Sequence, residues 1–475
     1  MAMLLFIQRL NCDYLGIMSI AGLLKESGHK VEVIITSKQR NVIQTVNRLK
    51  PHVVGLPVTA GELKWATSLL QEIKRALPAT LNVVGGVHPT ICPEIITYDG
   101  IDVVCRGEGE YPLLELLNAI DTGKDITRIQ NLWVKRDGHI VRNELRPLVE
   151  NLDVLPHPDK DIYYKYSSIR NYPVRNFIFI RGCPFKCSYC HNHIVAEIYR
   201  GKGNFIRTKT PVRAIEEIKE VVTNYKTRLV RFWDDTFTIK RDWLKEFLIR
   251  YKEEIDIPFY CTVDINRVDE DLIRRLKESN CYALEFGIES GNERIRNQIL
   301  NKHIPDKKFI SGAKLMREYN IKIVTQNILG LPEETLEDAW KTIEMNRMIK
   351  PTFPFSTVFQ PYPHLALTEY SIEKKILNEE NIMNYDNLTF FDKSPLQMPS
   401  IRKLENLQKL FIAAVFFPWA KPLINILICL PIKRVLLLIH IILNGICYKK
   451  AHRLTVFDTA RRGWHLSKGY FLTKR

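Results

Sequence analysis

The chain has 475 residues, of which 45% are hydrophobic and 26% charged, and its formal net charge is +16 at pH 7. This composition excludes a disordered chain, and the length predicts two or three domains. Ten cysteines, most of them scattered without a pairing pattern, favour a reducing compartment over a disulfide framework. The positive charge is typical of a protein with an anionic partner, such as nucleic acid, a phosphorylated metabolite or a membrane face, or simply of a basic surface.

Residues 1–145 predict a Rossmann-like α/β domain. Short β-branched runs alternate with amphipathic segments, which is the pattern of a parallel sheet flanked by helices. The predicted strands are 4–7, 31–35, 53–56, 81–84 and 103–105, and the predicted helices are 16–27, 42–49, 62–76 and 111–120. The first apolar run lacks the length and charged flank of a signal peptide, so it predicts a buried strand in a cytoplasmic protein. A hairpin is predicted at 131–144, around Asp137-Gly138.

Residues 146–170 predict a linker, and residues 171–361 a partial (β/α)6 barrel of the TIM type. The predicted barrel strands are 177–181, 229–233, 259–263, 283–287, 321–327 and 354–360. Catalytic residues of such barrels lie at the carboxyl ends of the strands. Residues 362–475 predict a helical region in which the apolar stretch 410–447 is too interrupted by Lys, Arg and Pro to cross a bilayer. Two shorter helices are expected there, which either cap the barrel mouth or lie in a membrane interface.

Three cysteines, Cys183, Cys187 and Cys190, follow the first predicted barrel strand within one short loop. Three thiolates are too many for a disulfide and one too few for a tetrahedral zinc site. Iron-sulfur clusters also normally take four protein ligands, so this spacing indicates a cluster with one iron open to another ligand. An open iron is a site for chemistry.

The C-x3-C-x2-C spacing, with Tyr189 just before the last cysteine, resembles the signature of the radical S-adenosylmethionine (SAM) enzymes. The resemblance implies that the three cysteines hold a [4Fe-4S] cluster and that the amino and carboxylate groups of SAM bind the fourth iron. Reductive cleavage of SAM would then give a 5'-deoxyadenosyl radical. Tyr189 and Phe185 would shield the cluster and approach the adenine.

Three further strand ends carry residues that resemble SAM-binding motifs of the radical SAM barrel. The resemblance implies that Asp234 and Asp235 lie near the amino group of SAM, and that Glu289 and Ser290 contact its ribose or methionine end. Gly330 and Leu331 would bound the adenine side. The Asp pair is equally compatible with the start of a helix, where a carboxylate caps backbone amides.

The Rossmann-like domain has Gly85-Gly86-Val87-His88 after its fourth strand and Arg106-Gly107-Glu108 after its fifth. Ahead of a radical SAM barrel, these runs resemble the cobalamin-binding domain of cobalamin-dependent radical SAM enzymes. The resemblance implies cobalamin contacts from Thr59, Gly85, Gly86, His88 and Glu108. The early loop lacks the Asp-x-His-x-x-Gly run that supplies an axial histidine in many cobalamin proteins, so cobalamin would bind base-off and without a histidine below the cobalt.

The sequence thus predicts an enzyme that uses a [4Fe-4S] cluster, SAM and cobalamin to modify an unactivated carbon, with C-methylation of a hydrophobic metabolite as the leading hypothesis. A flavodoxin or ferredoxin would donate electrons, and nucleic acid is not expected as a partner. Three alternatives stay open: a radical SAM cyclase or rearrangement enzyme, a non-catalytic cobalamin or iron-sulfur sensor, and a tRNA methylthiotransferase. The last would need a second cluster on Cys12, Cys92 and Cys105.

Overall fold

A computed structural model of the protein describes residues 1–39, 41–382, 391 and 393–471. The N-terminal part contains β1 (Met3–Gln8), α1 (Leu15–Glu26), β2 (Lys30–Ile35), α2 (Val42–Leu49), β3 (Val53–Pro57), α3 (Leu63–Ala76), β4 (Leu81–Gly85), α4 (Val87–Ile91), β5 (Val103–Cys105), α5 (Glu110–Thr122), β6 (Leu132–Arg136) and β7 (His139–Arg142). Its sheet has the order β2-β1-β3-β4-β5-β6-β7. The first five strands are parallel, and the hairpin β6–β7 adds two antiparallel strands at one edge. The predicted Rossmann-like topology is confirmed, with its strand order reversing between β1 and β3.

A second sheet and the helices around it form the barrel region. Its elements are α6 (Asp161–Tyr164), α7 (Ser167–Arg170), β8 (Val174–Phe177), β9 (Ile180–Arg181), α8 (Asn192–Ile198), β10 (Arg207–Thr208), α9 (Pro211–Asn224), β11 (Leu229–Phe232), α10 (Arg241–Glu254), β12 (Phe259–Thr262), α11 (Glu270–Glu278), β13 (Cys281–Glu289), α12 (Asp306–Glu318), β14 (Lys322–Leu329), α13 (Leu336–Ile349) and β15 (Phe353–Val358). Six parallel strands follow the order β8-β11-β12-β13-β14-β15, which confirms the partial barrel.

The first barrel strand differs from its prediction. We expected one strand at 177–181, but the barrel strand β8 ends at Phe177, and β9 leaves the sheet to pair with β10 in a separate antiparallel ladder. The apolar run Phe177-Ile178-Phe179-Ile180 is continuous in sequence and therefore hides this break. The break moves the start of the cysteine loop away from the barrel strands.

The N-terminal sheet and the barrel share one hydrophobic core. Phe6 of β1 and Leu116 of α5 belong to the same buried cluster as Phe179 and Phe247 of the barrel, and Tyr163 from α6 belongs to it as well. Residues 146–170, predicted as a linker, thus contribute two short helices to the core. The exact domain boundaries stay a prediction.

The C-terminal helices are α14 (Ala366–Glu373), α15 (Ile401–Phe416), α16 (Lys421–Leu427), α17 (Lys433–Ala451) and α18 (Val456–Phe471). Cys447 and Ala451 at the end of α17 pack against Val174, Leu229 and Phe353, which begin their strands. The end of α17 therefore lies at the floor of the barrel, whereas Ile401 at the start of α15 packs beside Gly330, after the carboxyl end of β14. That the C-terminal helices cap the barrel mouth stays a prediction. In the part of the chain that the structure describes, no helix is both long and apolar enough to span a bilayer.

Candidate active site

The cysteine loop begins at a glycine that no other residue could replace without strain. Gly182 has a φ of +90°, and a Cβ there would lie 2.3 Å from the carbonyl oxygen of Phe205. Cys183, Cys187 and Cys190 are all half-buried. The amide of Cys190 donates to the carbonyl of Cys187 at 3.1 Å, which turns the loop back on itself. The spacing thus brings all three thiols to one side of the barrel mouth.

The three thiols suit a cluster. Burial raises the pKa of the Cys190 thiol to about 12, with smaller contributions from Asp235 and from Cys187 and Cys183. Burial also raises the pKa of Cys183 and of Cys187. These thiols are therefore protonated in the metal-free protein, and bound iron would convert them to thiolates. Three soft, partly accessible ligands that influence one another's ionisation are the donor set a [4Fe-4S] cluster takes.

Asp234 holds the backbone that leads into this loop. Its side chain is fully buried, and its Oδ1 accepts hydrogen bonds from the amides of Phe179, at 2.7 Å, and Ile180, at 2.5 Å. Burial raises the pKa of Asp234 to about 7. With its carboxylate turned towards the backbone, Asp234 positions the loop, and a direct contact with SAM stays a prediction. Asp235 is exposed, and its charge reaches the thiols of Cys183 and Cys190.

A second buried carboxylate, that of Glu334, also binds two backbone amides, in the turn that follows β14. Glu334 accepts hydrogen bonds from the amides of Gly330, at 2.5 Å, and Leu331, at 3.2 Å. Burial raises its pKa to about 8. Gly330 has a φ of +73°, a conformation in which glycine is free of strain. The two predicted adenine neighbours, Gly330 and Leu331, are thus held in a fixed turn by the Glu334 carboxylate.

Glu289 lies at the carboxyl end of β13, facing the cysteine loop. Its Oε1 accepts from the Tyr189 hydroxyl at 3.0 Å and from Lys302 Nζ at 2.9 Å. Its φ of +63° is unusual for a non-glycine residue and marks a locally constrained strand end. Ser290 is fully buried, and its Oγ accepts from the amide of Asn292 at 3.2 Å. The structure therefore brings Glu289 and Tyr189 together, and Lys302 is a member of this group that sequence reasoning missed.

The predicted cobalamin residues lie at the carboxyl ends of β3, β4 and β5. Gly86, with a φ of +106°, separates β4 from α4, and Thr59 follows β3 with its hydroxyl donating to Glu62 at 2.8 Å. His88 is buried, and within the described residues its Nε2 has no hydrogen-bond partner. Burial lowers the pKa of His88 to about 4, which keeps the imidazole neutral. An unpaired buried nitrogen beside a glycine-lined strand end fits a bound polar ligand.

Glu108 has a different environment from the other four residues that were predicted to contact cobalamin. It lies after β5 as predicted, but both of its carboxylate oxygens accept hydrogen bonds from Arg207 and Arg181, at 2.7 to 3.0 Å. These charges lower its pKa against the opposing effect of burial. The assignment of Glu108 to cobalamin stays a prediction, because this carboxylate already has partners.

The inner face of the barrel carries an aromatic side chain that sequence reasoning missed. Trp233, directly after β11, is 48% exposed. Its indole Nε1 donates to Asn176 Oδ1 at 2.8 Å, and the Arg231 guanidinium stacks on its ring at 3.6 Å. Arg231 is in turn paired with Glu285 at 3.1 Å. The alternation of β11 could have indicated this, since Val230 and Phe232 belong to the core outside the barrel.

Two family profiles match the chain. The "B12 binding domain" matches residues 9–117, and the "Radical SAM superfamily" matches residues 177–345. These two regions contain, respectively, the glycine-lined strand ends with His88 and the cysteine loop with Glu289. Together they define a two-cofactor radical enzyme.

The chain also resembles characterised and uncharacterised proteins over most of its length. It is 28% identical to the uncharacterized methyltransferase PH0819 of Pyrococcus horikoshii, covering 79% of this chain and 82% of the relative. It is 25% identical to the anaerobic magnesium-protoporphyrin IX monomethyl ester cyclase of Rubrivivax gelatinosus, covering 85% and 74%. Its fold is similar to that of the radical SAM methyltransferase TsrM from Kitasatospora setae, with a TM-score of 0.65, 16% identity, and coverage of 79% and 78%; that TsrM structure has cobalamin and a [4Fe-4S] cluster bound.

The chain belongs to the cobalamin-binding radical SAM enzymes. Its cofactors are accordingly a [4Fe-4S] cluster, SAM and cobalamin, and the thiol loop and the glycine-lined crevice described above fit the cluster and the cobalamin.

Proposed function

We propose that this enzyme methylates an unactivated carbon of a hydrophobic small molecule. The observation that supports methylation is the similarity to PH0819, named a methyltransferase, across 79% of this chain. The apolar substrate is supported by the partly exposed indole of Trp233 on the inner face of the barrel. An exposed aromatic side chain inside a barrel provides apolar contact area for a ligand.

Each part of the site has a role in this proposal. Cys183, Cys187 and Cys190 hold the cluster, and Glu289 with Tyr189 orients SAM beside it. Gly85, Gly86, His88 and Thr59 line the cobalamin crevice at the facing sheet edge. The cofactors supply the radical and the methyl group, while the protein positions the substrate carbon between them and excludes water. Trp233 would hold the substrate against the barrel wall.

The experiment is a substrate search with isotope-labelled methyl groups. The reconstituted enzyme is incubated without oxygen with SAM carrying a CD3 group, a reduced flavodoxin or ferredoxin, and extracts from cells that lack the gene. Isoprenoids, hopanoids and tetrapyrroles are the compound classes to analyse by mass spectrometry. We expect a product that gains CD3, together with 5'-deoxyadenosine. Release of 5'-deoxyadenosine with a mass change in the substrate but no CD3 would contradict methylation.

That second outcome would support radical cyclisation instead. The similarity to the Rubrivivax gelatinosus cyclase, over 85% of this chain, favours it as the second candidate. Both reactions begin from the same radical, so the cysteine loop does not distinguish them. The fate of the labelled methyl group does.

The structure gives no support to the methylthiotransferase alternative. Cys105 belongs to the core between the first sheet and the barrel, whereas Cys92 belongs to the core on the other side of that sheet. Burial raises the pKa of both thiols to about 12. Two buried thiols that pack in different cores do not form the shared, accessible ligand set that one cluster needs.

We further propose that the C-terminal helices contact an anionic membrane surface on the cytoplasmic side. Helix α17 buries one stripe, which includes Leu436 and Cys447, yet its opposite stripe is also apolar. Exposed members of that stripe are Val435 at 53%, Leu438 at 59%, Ile442 at 53% and Ile446 at 46%. A helix that is apolar on its solvent side indicates a further partner. Trp419, 77% exposed, precedes it.

The positive charge of the C-terminal region favours an anionic membrane as that partner. Residues 416–464 contain eight lysines and arginines and a single acidic residue, Asp458. Basic side chains around an apolar surface suit anionic headgroups around acyl chains. We expect co-sedimentation with vesicles of phosphatidylglycerol and phosphatidylcholine, loss of binding in Leu438→Asn/Ile442→Asn, and retention in the matched control Ile249→Asn/Ile310→Asn. Equal binding by both double variants, or none by the unmodified protein, would contradict the proposal.

A further inference from the structure

Two arginines lie opposite each other beside the cysteine loop. Arg181, the last residue of β9, is paired in register with Arg207 of β10. Arg181 stands two residues before Cys183, so this ladder forms the base of the loop. Like charges directly opposite each other in an antiparallel pair repel and destabilise it. The ladder therefore needs compensating negative charge from elsewhere in the molecule.

The N-terminal domain supplies that charge. Glu108 accepts from Arg181 at 2.7 Å and from Arg207 at 2.9 and 3.0 Å. Glu110 accepts from Arg181 at 2.6 Å and from the Ser19 hydroxyl at 2.7 Å. Two carboxylates thus neutralise two guanidinium groups, in a group whose side chains are between 4% and 23% exposed. Charge-assisted hydrogen bonds in such an environment are strong and directional.

The carboxylates are themselves fixed to the glycine-lined crevice. Glu108 lies in the turn between β5 and α5, and Glu110 is the first residue of α5, where the helix dipole favours a negative charge. Gly107 in the same turn has a φ of +71°, and a Cβ there would lie 1.7 Å from the Tyr199 hydroxyl. That hydroxyl accepts from the amide of Glu108 at 3.2 Å. The turn is therefore held on its backbone and on its side chains by residues of the barrel.

We propose that Arg181 is a positioning residue that sets the distance and orientation of the cysteine loop relative to the cobalamin crevice, acting through Glu108 and Glu110. A substrate carbon must be reached from both cofactors, and small displacements of positioned groups reduce rates strongly. One guanidinium that binds two carboxylates of the other domain fixes two directions at once. Lysine has a single ammonium group and cannot reproduce this fork geometry.

The first test needs no cofactor. Hydrogen exchange is measured by mass spectrometry on peptides covering residues 103–113 in the unreconstituted full chain. In Arg181→Gln we expect exchange of these amides to accelerate about tenfold, because charge-assisted hydrogen bonds to the turn are lost. The matched control is Arg200→Gln, which removes an arginine that is 76% exposed on the barrel side. Equal exchange in the two variants would overturn the proposal.

The second test measures the separation of the cofactors. After reconstitution with iron, sulfide and hydroxocobalamin, the reduced cluster and cob(II)alamin are both paramagnetic, and their magnetic coupling is recorded by electron paramagnetic resonance. The coupling gives the distribution of distances between the cluster and the cobalt. We expect this distance distribution to be narrow in Arg200→Gln, broadened in Arg181→Gln and intermediate in Arg181→Lys. Identical distributions in all three would overturn the proposal. If Arg181→Gln retains no cluster, Glu110→Gln is subjected to the same measurement and the same criterion.

These readouts involve no substrate. A failure of the methylation assay therefore leaves the proposal for Arg181 standing, and an unchanged distribution leaves methylation standing.

Discussion

Asp234 Oδ1 accepts the amide hydrogen of Phe179 at 2.7 Å and so joins the end of β11 to the segment that carries the cysteine loop. The same oxygen accepts from Ile180, and the Thr262 hydroxyl donates to the Asp234 carbonyl at 2.7 Å. A carboxylate that serves two adjacent amides replaces the strand pairing that β8 loses after Phe177. The loop therefore starts from a fixed point even though its backbone has left the sheet.

The buried Asp234 predicts a pH dependence of stability. Burial raises its pKa from 3.8 to about 7, so the folded state binds the proton more tightly than the unfolded state does. The stabilising contribution is present below about pH 4 and is lost as the pH rises to about 7. We expect the free energy of unfolding, relative to Asp234→Asn, to fall across this window by on the order of 1–4 kcal/mol. Urea denaturation of both proteins at several pH values measures it.

A suitable comparison is Asp256→Asn. Hydrogen bonding to Lys252 lowers the pKa of Asp256. The difference in the free energy of unfolding between the unmodified protein and Asp256→Asn should therefore not fall over the same pH range. If the difference in the free energy of unfolding between the unmodified protein and Asp234→Asn did not change with pH, the Asp234 carboxyl would be solvated and ionised in the folded protein.

Loss of one thiol should abolish the cluster. We expect Cys187→Ala to lose the iron and the absorbance of the reconstituted protein, and to form no 5'-deoxyadenosine from SAM and dithionite, because two remaining thiolates hold a cubane poorly. Cys429→Ala, which alters an exposed cysteine in the C-terminal region, should retain both. Formation of 5'-deoxyadenosine by Cys187→Ala would remove the thiol loop from the site.

Tyr189 and Glu289 predict a selective effect on SAM. Tyr189→Phe removes a hydroxyl that donates to Glu289 at 3.0 Å, which leaves the carboxylate less well oriented. We expect the Kd for SAM to rise about tenfold, the effect of losing one hydrogen bond to a charged group, with iron content unchanged. Isothermal titration calorimetry on the reconstituted protein measures the affinity. Tyr282→Phe, which removes an exposed hydroxyl donating to the Lys450 carbonyl, should bind SAM as the unmodified enzyme does.

Two adjacent glycines predict opposite tolerance to alanine. Gly86 has a φ of +106°, where a Cβ is strained, so Gly86→Ala should lower the free energy of unfolding by about 1–3 kcal/mol. At Gly85 a Cβ would meet only ordinary contacts, at 3.6 Å from the Cys105 carbonyl oxygen, so Gly85→Ala should change it by about 0.5 kcal/mol or less. Thermal unfolding of the cofactor-free protein compares them. Equal losses would mean that the turn after β4 relaxes.

Local patterns in the sequence predicted the elements. The β-branched runs of the first sheet predict strands because alternate side chains must face a core, and each predicted run matches a strand of the structure. The cysteine spacing predicts one loop with three ligands, since a short loop keeps its residues together whatever surrounds it. The Gly85-Gly86 pair marks a turn for the same local reason. These inferences depend on neighbours within a few residues.

Contacts between distant segments lay outside such patterns. Nothing near Glu108 in the sequence indicates that its carboxylate binds Arg181, 73 residues later. Similarly, the apolar run after Phe177 conceals the break between β8 and β9, since buried strands and buried extended segments have the same composition. The apolar content of α17 predicted a helix but not that one stripe would close the barrel floor and the other would face outward.

The sequence by itself therefore determined the strands of the first sheet and the short loop that keeps three cysteines together, because these follow from periodicity and short-range spacing. Only the tertiary structure decided how the two halves of the site are held together: Asp234 and Arg181 act through partners that the fold brings within hydrogen-bonding distance. A charged side chain can bind any complementary group it meets, and which group it meets depends on the path of the whole chain.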